Sequence, residues 1–546
     1  MSKKAARLFI ECLEREGVQF VFGLPGEENL ELMDALADSP IRFISVRHEQ
    51  AAAFMADVYG RLTGKAGVCL STLGPGATNL VTGVADAFLD RAPLVAITAQ
   101  VALQQLHKEF HQAIDVVGMF RTITKWNTRI EQPSVIPEVV RKAFKIAQAE
   151  KPGACHIELP EDVAEAQADG KPLEPERARR PSPDRPSLTK AAELIDAAAQ
   201  PIILAGNGVI RGQASAELLS FSQATGIPVA NTFMAKGVVP WDYELSLLSI
   251  GLQAHDYVNC GFDEADLVIA VGYDFTEYAP SIWNPAKDKQ IIHIDFTSSE
   301  VDAAYQPAVE IVADIRETLE LLRPMIHRAK RLAAPRKLRQ YILEDLNRFA
   351  QHEAVPMKPQ RILHDLREAC GRHDLIISDV GAHKLWIARM FLPYEPNTVL
   401  ISNGFATMGI ALPGAIAAKL VEPERTVVAV CGDGGFLMNV QELETAVRFK
   451  TNPVFLIFND GGYRLIDWKQ QARFGRSFGV TFDNPDFVKL AQSFGAKGYR
   501  VEAARDLKRI LAEAFRQSVP SVIDVPVDYR VHGRLTEQLG QLVHPL

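Results

Sequence analysis

Two acids with matched surroundings offer the clearest chemistry. TVVAVCGDGGFLMN carries Asp433 in a glycine-rich turn after an apolar run, and Asp460 follows 27 positions later in PVFLIFNDGGY, again where an apolar run ends. If both runs are strands of one sheet, both carboxylates leave its carboxyl edge, where open α/β sheets bind ligands. Mg²⁺ is a hard cation that commonly takes one or two carboxylates plus phosphate oxygens, and the pair would suit it. Gly432, Gly434 and Gly435 let backbone approach a diphosphate, and a helix expected from about Phe436 would aim free amides at the anion. GDG alone is more often an ordinary turn; the second strand-end acid with its own glycines makes it a candidate site.

A third acid has a different setting. In ISVRHEQAAAFMADVYGRLTGKAGVCLSTLGPGATN, Glu49 follows an apolar run and opens an alanine-rich helical pattern. It could simply complement a helix N-terminus, or act in proton transfer from apolar surroundings.

The elements that position these acids come in three blocks. Short apolar runs (QFVFGL, IRFISV, GVCLST, PLVAIT) alternate with helical patterns beginning near Glu28, Glu49 and Ala77; PIILAGNG, DLVIAVG and QIIHID form a second series; LIISDV, TVLIS, TVVAVCG, PVFLIFN and SVIDVPV form a third. Strands alternating with helices predict parallel sheets covered on both faces, so the fold class is α/β with three doubly wound domains. The boundaries read as 1–165, a proline-rich linker over 166–188, a Rossmann-like block over 189–330, a basic helical linker over 331–357, a third block over 358–530 and a tail over 531–546. The GNG turn after PIILA is a weak nucleotide signal, since it lacks the full GxGxxG.

With 546 residues the chain can build several cores, and 47% apolar with 23% charged residues is ordinary for a globular protein. A net charge of −8 provides no broad positive field, so nucleic acid is not an expected partner. No apolar run reaches the length of a membrane span. The basic start becomes an amphipathic helix pattern instead of a signal core. Six scattered cysteines without a CxxC pair read as buried thiols, and the expected location is the cytoplasm.

GDG followed by ND at this spacing resembles the thiamine-diphosphate motif of the acetolactate synthase and pyruvate decarboxylase superfamily. The resemblance implies Asp433, Asp460 and the Gly462 carbonyl as metal ligands, although the family usually has asparagine where Asp460 stands. RHEQAAAFMA and GPGATN are similar to the pyrimidine-binding domain of acetolactate synthases, which implies that Glu49 activates the cofactor by hydrogen-bonding its aminopyrimidine. Pro25 and Asn79 match pyrimidine-side positions. Met408, in ISNGFATMG, matches the residue that props thiamine in its bent shape; Gly381, His383, Gly404 and Tyr463 match the cradle around it. The three domains then read as pyrimidine-binding, central Rossmann-like and diphosphate-binding. Because Glu49 and Asp433 lie in different domains, the resemblance implies a homodimer or homotetramer with active sites between subunits.

Similarity to acetolactate synthases extends along the whole chain. GYDFTEYAPSIWN resembles the catabolic, flavin-independent branch, and the RFDDR of the FAD-containing branch is missing, which argues against FAD without excluding it. In HKEFHQAIDVVGMF, read as helical, His111 and Gln112 resemble the His-Gln of the catabolic enzymes and are candidate catalytic groups. The NDGGYRLIDWKQ loop departs from both branches: Trp468 is one position from the tryptophan that the biosynthetic enzymes carry near the position of Lys469. The implied reaction is decarboxylation of pyruvate and condensation of the hydroxyethyl unit with a second pyruvate to give 2-acetolactate. A 2-oxo acid decarboxylase, a lyase such as one acting on 2-hydroxyacyl-CoA, and a nonenzymatic regulator are the competing readings; the last would be expected to lose one of the three acids.

Overall fold

Residues 3–176, 179–251 and 257–531 are described by the computed structural model. Three sheets of six parallel strands form the framework. The first lies in the order Arg42–Ser45, Phe20–Gly23, Gly67–Ser71, Leu94–Gln100, Ala154–Pro160, Trp126–Arg129, and the third in the order Val399–Ile401, Leu375–Ser378, Val427–Gly432, Val454–Asn459, Ser521–Pro526, Lys497–Arg500. Numbered along the chain, both follow 2-1-3-4-6-5. The central sheet runs Ser246–Ser249, Val229–Asn231, Pro201–Ala205, Leu267–Val271, Gln290–Asp295, Val309–Val312, which is the Rossmann order 3-2-1-4-5-6.

Every residue of Leu94–Gln100 and of Leu267–Val271 is buried, as expected for parallel strands covered on both faces. One core joins the first and third domains: the helix Glu49–Thr63 packs its Ala51–Val58 stretch against Ala411, Leu412, Ala415 and Ile416 of the helix Ala411–Val421. Small residues allow the close approach, and a Cβ at Gly414 would stand 2.8 Å from Val58 Cγ2. A buried ionic hub ties the same domains together. Arg61 pairs with Asp57, Asp86 and Asp90, while Ser402 and the amides of Asn403 and Gly404 bond to Asp86 and Asp90.

The expected linkers are more structured than their composition suggests. Gln167–Ala168 pairs with Lys3–Lys4, and the first helix of the central domain begins at Arg185. Residues Ala333–Asn347 form a helix with Leu338, Ile342 and Leu346 buried in the core shared by the central and third domains, instead of the solvated face expected. Their i, i+4, i+8 spacing makes one apolar stripe, which basic neighbours mask in the sequence. All of the expected tail beyond Val531 lies outside the described residues. The six cysteines are free and buried, two or more in the first and third domains and Cys260 in the central one. Among the described residues no helix is long and apolar enough to cross a membrane.

Candidate active site

Strand register brings the acid pair together. Gly432 pairs with Phe458 across adjacent parallel strands, so Asp433 and the Asn459–Asp460 turn leave the sheet at one level. This is the switch point, where the order reverses between Leu375–Ser378 and Val427–Gly432. The helix here spans Asp433–Met438 and starts three residues earlier than expected, because Asp433 itself is its first residue. Asp433 is buried; one oxygen accepts from its neighbour Gly434 (2.8 Å), the other from the amides of Asp460 (3.0 Å) and Gly461 (2.7 Å) and from Asn484 Nδ2 (2.8 Å).

Burial and the charge of Asp433 push the Asp460 carboxyl up to about 7, against the pull of Arg464. Arg464, four residues on, bonds to both the carboxylate and the main-chain carbonyl of Asp460, so the extra charge of the aspartate has a matching cation. Asn484 Oδ1 is buried beside the pair without a hydrogen-bond partner. Two crowded carboxylates and an unfilled amide oxygen form an all-oxygen donor set that fits a hard divalent cation. The Gly462 carbonyl accepts from the Arg464 amide (3.1 Å) and keeps a second lone pair.

The neighbouring turns form a cradle. Cβ atoms at Gly381 and Gly432 would lie 3.0 and 3.2 Å from the His383 ring, and one at Gly434 would lie 2.7 Å from Tyr463. Burial lowers His383 to about 3, leaving a neutral ring whose buried Nε2 has no partner. The glycine-walled concavity beside this ring leaves room for backbone to approach an anion's oxygens. Met408 lies half-buried in the turn before Ala411–Val421, not on a helix. Its neighbour Gly409 donates to Asp379 Oδ1 (2.7 Å) and accepts from Asn439 Nδ2 (2.8 Å). Gly404 stands apart, its amide committed to Asp90 of the first domain.

The other half-site sits at the equivalent switch point of the first sheet. Asn79 Nδ2 donates to Glu49 Oε2 (2.9 Å), and a Cβ at Gly76 would be 3.3 Å from Glu49 Oε1. Glu49 is buried, and its carboxylate has no hydrogen-bond partner from the third domain. Pro25 lies exposed in the loop after Phe20–Gly23. His111 and Gln112 occupy an exposed turn, a correction to the helical reading. Gln112 has φ +56°, and its carbonyl packs against Gly74, where a Cβ would be only 2.6 Å away.

Several residues at the site escaped the sequence reading. Asp379 ends the strand Leu375–Ser378, is held up to about 7 by burial, accepts from Val380 N (2.8 Å) and Gly409 N, and presses its other oxygen against Gly435. Arg464, Asn484 and Tyr529 also belong here; burial and the two aspartates raise the Tyr529 phenol. In the central domain the Asn207 amide of the GNG turn bonds the buried Glu277 carboxyl (3.0 Å), so an internal acid takes the place where such a turn would receive a phosphate.

The chain matches the thiamine pyrophosphate enzyme N-terminal TPP binding domain over residues 3–119, the central domain over 188–322 and the C-terminal TPP binding domain over 379–525. It is 37% identical to an acetolactate synthase of Bacillus subtilis, with 100% of this chain and 97% of that protein covered. This chain belongs to the acetolactate synthase family. A catabolic acetolactate synthase of Raoultella terrigena is also 37% identical, over 98% of this chain and 97% of its own length. A probable acetolactate synthase large subunit of Methanocaldococcus jannaschii is 38% identical, over 96% and 92%. Within this family the three parallel-sheet domains correspond to the N-terminal, central and C-terminal thiamine pyrophosphate enzyme domains.

Proposed function

We propose that the chain is an acetolactate synthase that decarboxylates pyruvate and joins the remaining two-carbon unit to a second pyruvate. The observation that carries this reading is likeness to the Bacillus subtilis enzyme along the entire chain, with Glu49, Asp433 and Asp460 all present. When bound, thiamine diphosphate supplies a nucleophilic carbon and an electron sink for the pair released with CO₂. Asp433, Asp460 and the Gly462 carbonyl would hold Mg²⁺. Gly381, His383, Gly432, Gly434, Gly435 and Tyr463 would surround the diphosphate, while Gly404, its amide held by Asp90, would lie outside this cradle. Met408 would support the thiazolium side, and Pro25 and Asn79 the pyrimidine side. Glu49 would hold a proton at the pyrimidine nitrogen, and Gln112 and His111 would offer hydrogen bonds to the 2-oxo acid.

The two half-sites would meet between subunits of a homodimer, or of a tetramer built from one. Glu49 finds no partner for its carboxylate in the third domain of its own chain, and the domains that carry the half-sites expose apolar side chains: Leu30, Phe110 and Ile114 on one, Phe405, Met438, Ile466, Phe474 and Phe478 on the other. Exposed apolar patches of this kind mark association surfaces. Glu277 at the GNG turn supports a central domain that works without FAD, in keeping with the catabolic branch. Six free buried thiols suit a reducing cytoplasm.

Purified protein given pyruvate, thiamine diphosphate and Mg²⁺ should form acetolactate without flavin absorbance. Free acetaldehyde as the sole product would establish a decarboxylase, and turnover confined to a CoA thioester would establish a lyase.

A further inference from the structure

We infer that Glu442 is a positioning residue for Glu49, acting through the backbone that precedes it. This inference rests on the proposed role of Glu49 and names a part of that site in another domain.

Glu442 opens the helix Glu442–Arg448, the next helix after the GDGG turn, and is fully buried. Its Oε1 accepts from the amides of Arg47 and His48, each at 3.0 Å, and its Oε2 accepts from Thr445 Oγ1 at 2.5 Å. Those amides belong to the turn from the strand Arg42–Ser45 into the helix Glu49–Thr63, so the second amide is immediately before Glu49. Two further contacts from the same helix hold this turn: Arg448 donates to the Ser45 carbonyl and hydroxyl, each at 2.7 Å, and Glu444 pairs with the Arg47 guanidinium at 3.0 Å. Arg47 is exposed and Arg448 largely so, and exposed ion pairs contribute little. The buried carboxylate is the strong hold, because charge-assisted bonds to backbone amides are short and directional.

The turn has few other constraints. His48 is the N-cap of the helix Glu49–Thr63, with Nδ1 accepting from Gln50 N at 3.1 Å. Removing Glu442 would leave two amides without their acceptor and free the turn that aims Glu49. A displacement near 1 Å in a reacting group costs up to about 100-fold in rate.

The test compares Glu442→Ala, Glu442→Asp and Glu442→Gln with the wild-type holoenzyme, measuring kcat, KM for pyruvate, thiamine diphosphate affinity and amide exchange at Arg47 and His48. Glu442→Ala should lose about 10- to 100-fold in kcat, with KM and cofactor affinity within about twofold and with protection lost at these two amides. Glu442→Asp, which withdraws the acceptor by one methylene, should lose less and serves if the alanine variant does not fold. Glu442→Gln keeps an acceptor oxygen and should recover most of the turnover. In a Glu49→Gln background, Glu442→Ala should add no more than about a twofold loss, since the two act as a unit. Wild-type kcat in both the alanine and aspartate variants, a glutamine variant as slow as alanine, or losses that multiply with Glu49→Gln would overturn the inference. A wild-type enzyme unaffected by Glu49→Gln would instead refute the role of Glu49, with the exchange data still reporting whether Glu442 holds the turn.

Discussion

At the scale of single residues, buried acids far outnumber those that would touch a cofactor, and each has a separate task. Glu277 lies in the central domain with the Asn207 amide and the Thr232 hydroxyl as partners, and burial raises it to about 8. The folded state therefore favours its protonated form. That contribution is complete below the usual glutamate value of about 4, and it is lost as the pH climbs through about 8. Glu277→Gln, a neutral mimic of the acid, should unfold at a temperature a few degrees above wild type at alkaline pH, with the gap closing toward about pH 5. Differential scanning fluorimetry across pH measures this, and a gap that widens toward acid would show the ionised form to be the stable one. Asp379 illustrates why part of the site was hard to read. It ends a strand at the switch point, and the rule that picked out Asp433 applies to it equally. LIISDVG, however, has a single glycine two positions on and lacks the glycines that flank Asp433 directly. Asn484 and Tyr529 gave no local signal, because their meaning comes from contacts with residues distant in sequence.

At the scale of elements, strands are legible where uninterrupted apolar runs are bounded by glycine or proline, as at Val427–Gly432 and Val454–Asn459, whereas the buried strand Ala154–Pro160 goes unread because His156 and Glu158 interrupt its run. Two half-buried edge strands are not legible either. Trp126–Arg129 and Lys497–Arg500 carry too many polar residues to form a continuous apolar run, since an edge needs less cover. The helix Ala333–Asn347 reads as a linker in the sequence because charge dominates its composition. Its buried stripe makes a quantitative claim. Ile342→Ala should destabilise the protein by about 2–5 kcal/mol, whereas Arg336→Ala, which removes only an exposed pair with Glu244, should cost under about 0.5 kcal/mol. Chemical denaturation followed by tryptophan fluorescence distinguishes them, and equal small effects would mean that the stripe carries no load.

At the scale of the whole molecule, two sheets with one strand order present their switch points as separate halves of a site, and the central sheet follows another order. Exposed Phe474 and Phe478, at the end of the helix Arg464–Phe474 that follows Asp460 and in the loop beyond it, the latter 88% accessible, are the strongest sign that a second surface belongs there. Replacing both by aspartate should yield a monomer that keeps its fold but makes no acetolactate, as read by sedimentation and activity on one sample. An active monomer would place the complete site within one chain. The cysteines lend the molecule a further use. All six thiols are enclosed, and burial lifts Cys12, Cys155 and Cys370 to about 12, so an alkylating reagent finds no thiolate while the fold is shut. Brief alkylation followed by peptide mapping thus becomes a built-in clock, reporting which of the three domains opens first.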